Sequence, residues 1–223
     1  MRAIEGRPIL EIPGENGIAA RVVPVSPSDE AIQRSLTKLA RSFPTSNDVK
    51  RGQSSDPNEL AVALWIEVSE KAVLLGADLL RGPAGCGWQA VLAAFSPNVR
   101  ASVFKVPHHG APNAHHEDVW TRLLAESPIA LVAPFRAGDV ARPDQSDVER
   151  ICCLTPNAYI TAAAKMPKDS HTSRREASEL GPLAQNVREP WGQVGHVRAR
   201  SRLGKHQWDV KYSEPARKLV RSV

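Results

Sequence analysis

The stretch ASVFKVPHHGAPNAHHEDVW, residues 101–120, holds four of the chain's seven histidines within nine positions, directly after an apolar run that reads as a strand. Just upstream lie LAVALWIEV (60–68) and KAVLLGAD (71–78), two β-rich runs separated only by Ser69 and Glu70. Two such runs with a two-residue gap predict a hairpin. Neither Ser69 nor Glu70 is the preferred turn glycine, so the register is left open. GWQAVLAAF (87–95) predicts a short helix between the hairpin and the histidine strand. Downstream, HEDVWTRLLAES (116–127) reads as a helix with Val119, Leu123 and Leu124 on its buried face, and PIALVAPF (128–135) as a strand. QSDVERICCL (145–154) is a helix and NAYITAAA (157–164) a strand. The rhythm over 60–163 is β-β-α-β-α-β-α-β, which predicts an α/β fold with helices covering at least part of the sheet.

On the amino-terminal side, RVVPVS (21–26) predicts a strand and PSDEAIQRSLTKLARSF (27–43) a helix. Ser28 or Asp29 is placed to cap that helix, with Ile32, Leu36, Leu39 and Ala40 on one face. Residues 44–58 are polar and turn-rich, and 164–190 form a second polar loop. GQVGHVRARSR (192–202) and HQWDVKY (206–212) alternate like a closing pair of strands. The expected organisation is an α/β region over 1–163, the polar loop over 164–190, and basic strands over 191–223 completing the same domain.

With 223 residues and 42% hydrophobic content, the chain can bury a core of one large domain or two small ones. No apolar run reaches the roughly 18–20 residues of a membrane span. The opening MRAIEGRPILEIPGENG lacks the apolar core and small-residue cleavage site of a secretion signal. Three cysteines, with Cys152 and Cys153 adjacent, make neither a disulfide framework nor a CxxC metal knuckle. A reduced, cytoplasmic protein is expected. Charge is uneven: from Arg188 onward nine Lys/Arg face three Asp/Glu, a surplus of six within a total of +5. Such a basic segment suits nucleic acid phosphates or acidic partners, or forms a solvated strand pair.

Two positions stand out for chemistry. Asp78 ends VLLGAD, and His108 with His109 ends VFKVP. In an α/β sheet, side chains at the carboxyl ends of strands line the ligand crevice. A carboxylate and an imidazole delivered there are oxygen and nitrogen ligands for zinc or manganese. The same residues also suit plain turns. Gly76 and Gly110 let the backbone turn tightly beside a ligand.

VLLGADL, followed 30 residues after Asp78 by FKVPHHGA, resembles the C-terminal half of the metallo-β-lactamase superfamily, in the variant found in the hydrolase domain of competence-type DNA-uptake proteins and their soluble relatives. The order of elements over roughly 20–163 matches as well. The resemblance implies half of an αββα sandwich with a terminal strand pair. It implies two zinc or manganese ions in a completed site, with Asp78 as the bridging, catalytic carboxylate. His108, nearest the strand end, would be the catalytic metal ligand, and His109 a second ligand or a substrate contact. It further implies a phosphodiesterase or nuclease-like hydrolase. Ala111 stands where the family has serine, and ARPDQSD (141–147) replaces a GHP segment, which leaves Arg142 as a possible substrate contact. His115 and His116 read as surface residues near a helix cap, and His171, His196 and His206 have no matching partner.

No histidine precedes His108, so the family's HxHxDH motif is absent, as is its separate histidine ahead of the bridging aspartate. One Asp and one or two His cannot fill a four-coordinate zinc shell. Two expectations follow. Either a partner chain or a second copy completes the sandwich and its metal site, or the chain is a non-catalytic, degenerate relative serving interaction or assembly. A half-sandwich in the first case exposes an apolar sheet face that demands a partner.

Overall fold

The computed structural model describes residues 5–15, 17–42, 57–137, 140–162, 195–202, 204–205 and 207–221. The loop expected over 164–190 lies outside them, as does most of 44–58.

The chain opens with β1 (Leu10–Gly14), β2 (Gly17–Pro24) and α1 (Asp29–Ser42). Then come β3 (Leu64–Val68), β4 (Lys71–Leu75), α2 (Gly87–Ala94) and β5 (Ala101–Lys105). A one-turn π-helix (Val119–Leu123) leads into β6 (Leu124–Val132), followed by the short strands β7 (Phe135–Ala137) and β8 (Val140–Arg142). α3 (Gln145–Leu154), β9 (Ala158–Ile160), β10 (His196–Arg200), β11 (Asp209–Ser213) and β12 (Arg217–Lys218) follow, and short 3-10 turns lie at Pro57–Leu60, Pro107–Gly110 and Pro112–Ala114. Eight strands form one mixed sheet in the order β1-β2-β3-β4-β5-β6-β9-β12, while β7-β8 and β10-β11 are separate two-stranded ribbons. β4, β5, β6 and β9 run parallel; the outer pairs are antiparallel. The protein is therefore a mixed α/β fold with a large sheet and few helices.

The expected β3–β4 hairpin is present, with Val68 paired to Lys71 and Ser69 carrying a φ of +52° at the turn. Pairing register puts Trp65, Leu74, Phe104, Ala130 and Ala158 on one face of the sheet, and all are buried. Leu79, Val91, Trp120, Leu123 and Ile151 belong to the same core, so α2, the π-turn and α3 cover this face. Edge-to-face pairs Trp65–Phe95 and Phe104–Trp120, at 5.1 and 5.2 Å, fill the layer between. Burying each large side chain contributes about 1.5–3 kcal/mol. The opposite face carries Leu64, Ile66, Val73, Leu75, Leu131 and Tyr159, all only half-buried.

Two elements differ from expectation. The helix expected over 116–127 ends at Leu123, and β6 begins at Leu124, which pairs with Ala101. Pro128 disfavours the α region at Ser127, which adopts a φ of +52°, so the helix could not have reached 127; the chain leaves it earlier, at Leu124, to pair with β5. In α1, Ser28 is the cap: its Oγ accepts the Ala31 amide at 3.2 Å and donates to the Gly85 carbonyl at 2.7 Å. The stripe that meets the protein is Ala31, Ile32 and Ser35, while Leu36 and Leu39 are 53% and 54% exposed. The expected apolar face is thus offset toward the amino end. No described helix is long and apolar enough to cross a membrane.

Candidate functional site

β4 and β5 end side by side, and their turns are locked together. The Gly76 amide donates to the Lys105 carbonyl at 3.0 Å, and the His108 amide to the Ala77 carbonyl at 3.0 Å. A Cβ on Gly76 would lie 2.8 Å from the Lys105 oxygen and 3.0 Å from Pro107 Cβ, so only glycine permits this approach. The chain then runs through His108 (φ +44°), His109 (φ +58°) and Gly110 (φ +84°), three consecutive residues in the left-handed region. Two non-glycine residues in that region cost free energy and concentrate where geometry serves a site. Gly110 packs on α3: its carbonyl accepts from Arg150 Nη2, and a Cβ there would meet Ile151 Cδ1 at 3.0 Å.

This path brings Asp78 and His109 together. His109 Nε2 lies 3.8 Å from Asp78 Oδ1. His109 Nδ1 is 2.9 Å from the Ala133 carbonyl at the end of β6, an acceptor only, so Nδ1 carries the proton. Nε2 of the neutral ring is then the lone-pair nitrogen, turned toward the carboxylate, the orientation metal-binding imidazoles take. Phe135 stacks on the imidazole at 4.9 Å and 23°, covering one ring face. His108 turns elsewhere: Nδ1 meets Asn113 Oδ1 at 3.1 Å and Nε2 meets Asn58 Nδ2 at 3.5 Å. Of the two histidines, the sequence resemblance favours His108 as ligand, whereas the geometry sets His109 against Asp78. Lys105 donates to the Val106 carbonyl at 2.9 Å; burial pushes its ammonium below the ordinary lysine range, with Asp78 opposing that shift.

Zinc–ligand bonds of about 2.1 Å at a tetrahedral angle separate two ligands by about 3.4 Å. The 3.8 Å between Asp78 and His109 fits one edge of such a shell with small adjustment. A whole shell is not assembled: among the described residues no group of three or more His, Cys, Asp and Glu is placed to hold a metal.

The remaining singled-out residues have other engagements. Arg142 donates to Asp144 at 2.5 Å and Asp147 at 2.8 Å, tying it to the α3 cap. His116 Nδ1 accepts the Asp118 amide at 3.2 Å, in keeping with a cap role. His115 is half-buried against the core and lines a small cavity with Trp88, Phe104 and Arg150, rather than lying on the surface. Burial, then Arg150 and Arg81, hold its imidazole below the ordinary histidine range. His196 is exposed on β10; His171 and His206 lie outside the described residues. Ala133, Phe135, Asn58 and Asn113 escape sequence reasoning as site partners, because nothing local marks a carbonyl or amide that becomes a neighbour only through the fold.

Comparison with protein-family models, curated proteins and solved structures finds no match to this chain.

Proposed function

We propose that the chain is the C-terminal half of a metallo-β-lactamase-like hydrolase whose metal site another polypeptide completes. The observation that carries this reading is the Asp78–His109 pair at the ends of adjacent parallel strands, with the His109 tautomer set by the Ala133 carbonyl. The half-buried apolar face of the sheet supports it, since Leu10, Ile12 and Val68 on that face are 50%, 47% and 44% exposed and suit a second layer. Asp78 and His109 would hold the zinc or manganese, which when bound supplies Lewis acidity and an activated hydroxide for attack on a phosphodiester. The chain's own part is positional. The Gly76 turn presents the carboxylate, the Ala133 carbonyl orients the imidazole, and Phe135 keeps water off one ring face.

The test mixes the full chain with a fragment carrying the superfamily's HxHxDH strands and follows zinc uptake and bis(p-nitrophenyl) phosphate hydrolysis. Both are expected to rise above either component alone and to vanish with Asp78→Ala. The second reading, a non-catalytic interaction protein, is favoured by the lack of a third ligand near the pair among the described residues. It predicts a chain whose partner binding is indifferent to Asp78→Ala.

A further inference from the structure

The ribbon β10–β11 has two unlike faces. Cross-strand partners Arg198↔Lys211 and Arg200↔Asp209 point one way, and Val197↔Tyr212 and Ala199↔Val210 the other. Val197, Ala199 and Val210 are half-buried, whereas Arg198, Arg200 and Lys211 are exposed. The ribbon is moored on the half-covered side of the main sheet. Trp208 Nε1 donates to Ser102 Oγ at 2.9 Å, Lys71 Nζ to the Arg202 carbonyl at 2.8 Å, and Tyr212 meets Tyr159 at 5.9 Å. Mooring the apolar face fixes the basic face outward.

That basic face borders an open trough of about 700 Å³ whose walls include Arg198, Arg200, Arg202, Lys205, Lys211 and Trp208. Among the described residues lining it, Asp209 is the only acidic one. Elsewhere some described cations, among them Arg21, Arg34, Arg142 and Arg150, are ion-paired, while others such as Arg81 and Arg100 make no ion pair with a described residue, so it is the clustering of the trough cations that sets them apart. None of the five trough cations makes an ion pair with a described residue. Arg198 and Arg200, two residues apart on one strand, repeat at about 6.8 Å, a step comparable to successive phosphates of an extended strand. Trp208 is half-buried and held by its indole nitrogen, so the ring is fixed at the trough wall. A cationic track beside a fixed aromatic ring is how proteins hold single-stranded nucleic acid without reading its sequence.

We infer that the β10–β11 trough binds single-stranded nucleic acid, with phosphates on Arg198, Arg200 and Lys211 and a base against Trp208. A duplex offers the phosphates and hides the base; an extended acidic peptide can match the step of about 6.8 Å but brings no base to stack on the ring. The trough shares no residue with the Asp78–His109 pair and its contacts, and EDTA in the assay separates the two activities.

The experiment measures fluorescence anisotropy of a labelled oligodeoxythymidylate of about 20 nucleotides with the full chain in EDTA, across a salt series. Three phosphate contacts predict a log–log salt slope near −2, or about twentyfold weaker binding on going from 50 to 200 mM salt. The exposed triple substitution Arg198→Gln/Arg200→Gln/Lys211→Gln brings the slope near zero and weakens low-salt binding at least tenfold. Trp208→Ala weakens binding about tenfold, whereas Trp208→Phe, which keeps an aromatic ring for stacking while losing the hydrogen bond to Ser102, stays within about threefold. Unchanged binding in the triple variant would overturn the inference. So would equal affinity for polyglutamate, or tighter binding of a duplex of the same length.

Discussion

Asp147 is fully buried on α3 and still acts as a charge hub. Its carboxylate accepts from Arg142 at 2.8 Å, Arg150 at 2.9 Å and the Asp144 amide at 3.1 Å, while Asp144 returns the favour to the Asp147 amide at 2.9 Å. This reciprocal capping box starts α3 and, through Arg150 and the Gly110 carbonyl, steadies the histidine turn. Removing one partner of a buried ionic network strands the others, so Asp147→Ala should cost about 3 kcal/mol in urea unfolding. Asp144 is held below the ordinary carboxylate range by the Asp147 amide and Ser146, yet is exposed, and its loss should cost less. His115 carries a pH signature. Burial and the facing Arg150, Arg81 and His116 lower its affinity for a proton, and Glu117 opposes them. In the window below the ordinary histidine value, the unfolded chain binds more protons than the folded one. Stability should therefore fall as pH drops through that window and recover as it rises. His115→Gln should flatten the dependence between about pH 6.5 and the lowered value, measured by thermal melts across pH.

Among the elements, the junction of β4 and β5 sets where Asp78 and His109 stand. Gly76→Ala would press a methyl group against the Lys105 carbonyl and Pro107. We expect the strand ends to part, with about 1–3 kcal/mol lost in denaturant unfolding and the Asp78–His109 spacing disturbed. The β-β-α-β-α-β-α-β rhythm was legible because buried runs such as KAVLL and ASVFK are bounded by turn residues. β1 was not: LEIPG is an exposed edge strand whose Leu10-Glu11-Ile12 alternation is cut short by Pro13 and Gly14, too brief to read as a strand. The α1 stripe misled, because spacing reports an apolar face and not whether a neighbour exists to cover it. Leu36→Gln should accordingly shift stability by less than about 0.5 kcal/mol, whereas Leu74→Ala in the core should cost about 2–5 kcal/mol.

At the scale of the whole molecule, one sheet face is sealed by helices and the other is half-covered, with the basic ribbon moored over part of it. Asp78 and the histidine pair were legible as strand-end residues, since an Asp and a His-His-Gly that close two strands separated by one helix fall at the same sheet edge. Which histidine faces the carboxylate was not legible. That choice turns on a backbone in the left-handed region and on a carbonyl from a third strand. The central claim is that Asp78 and His109 form one edge of a metal site. It is tested most directly by equilibrium dialysis of zinc against the full chain mixed with a fragment carrying the superfamily's HxHxDH strands, for the wild type and its Asp78→Ala, His109→Ala and His108→Ala variants. The account predicts zinc bound by the wild-type mixture beyond what either component holds alone, that excess lost with Asp78→Ala and with His109→Ala, and retained with His108→Ala. No excess zinc in the wild-type mixture, or an equal excess with the first two variants, would contradict it.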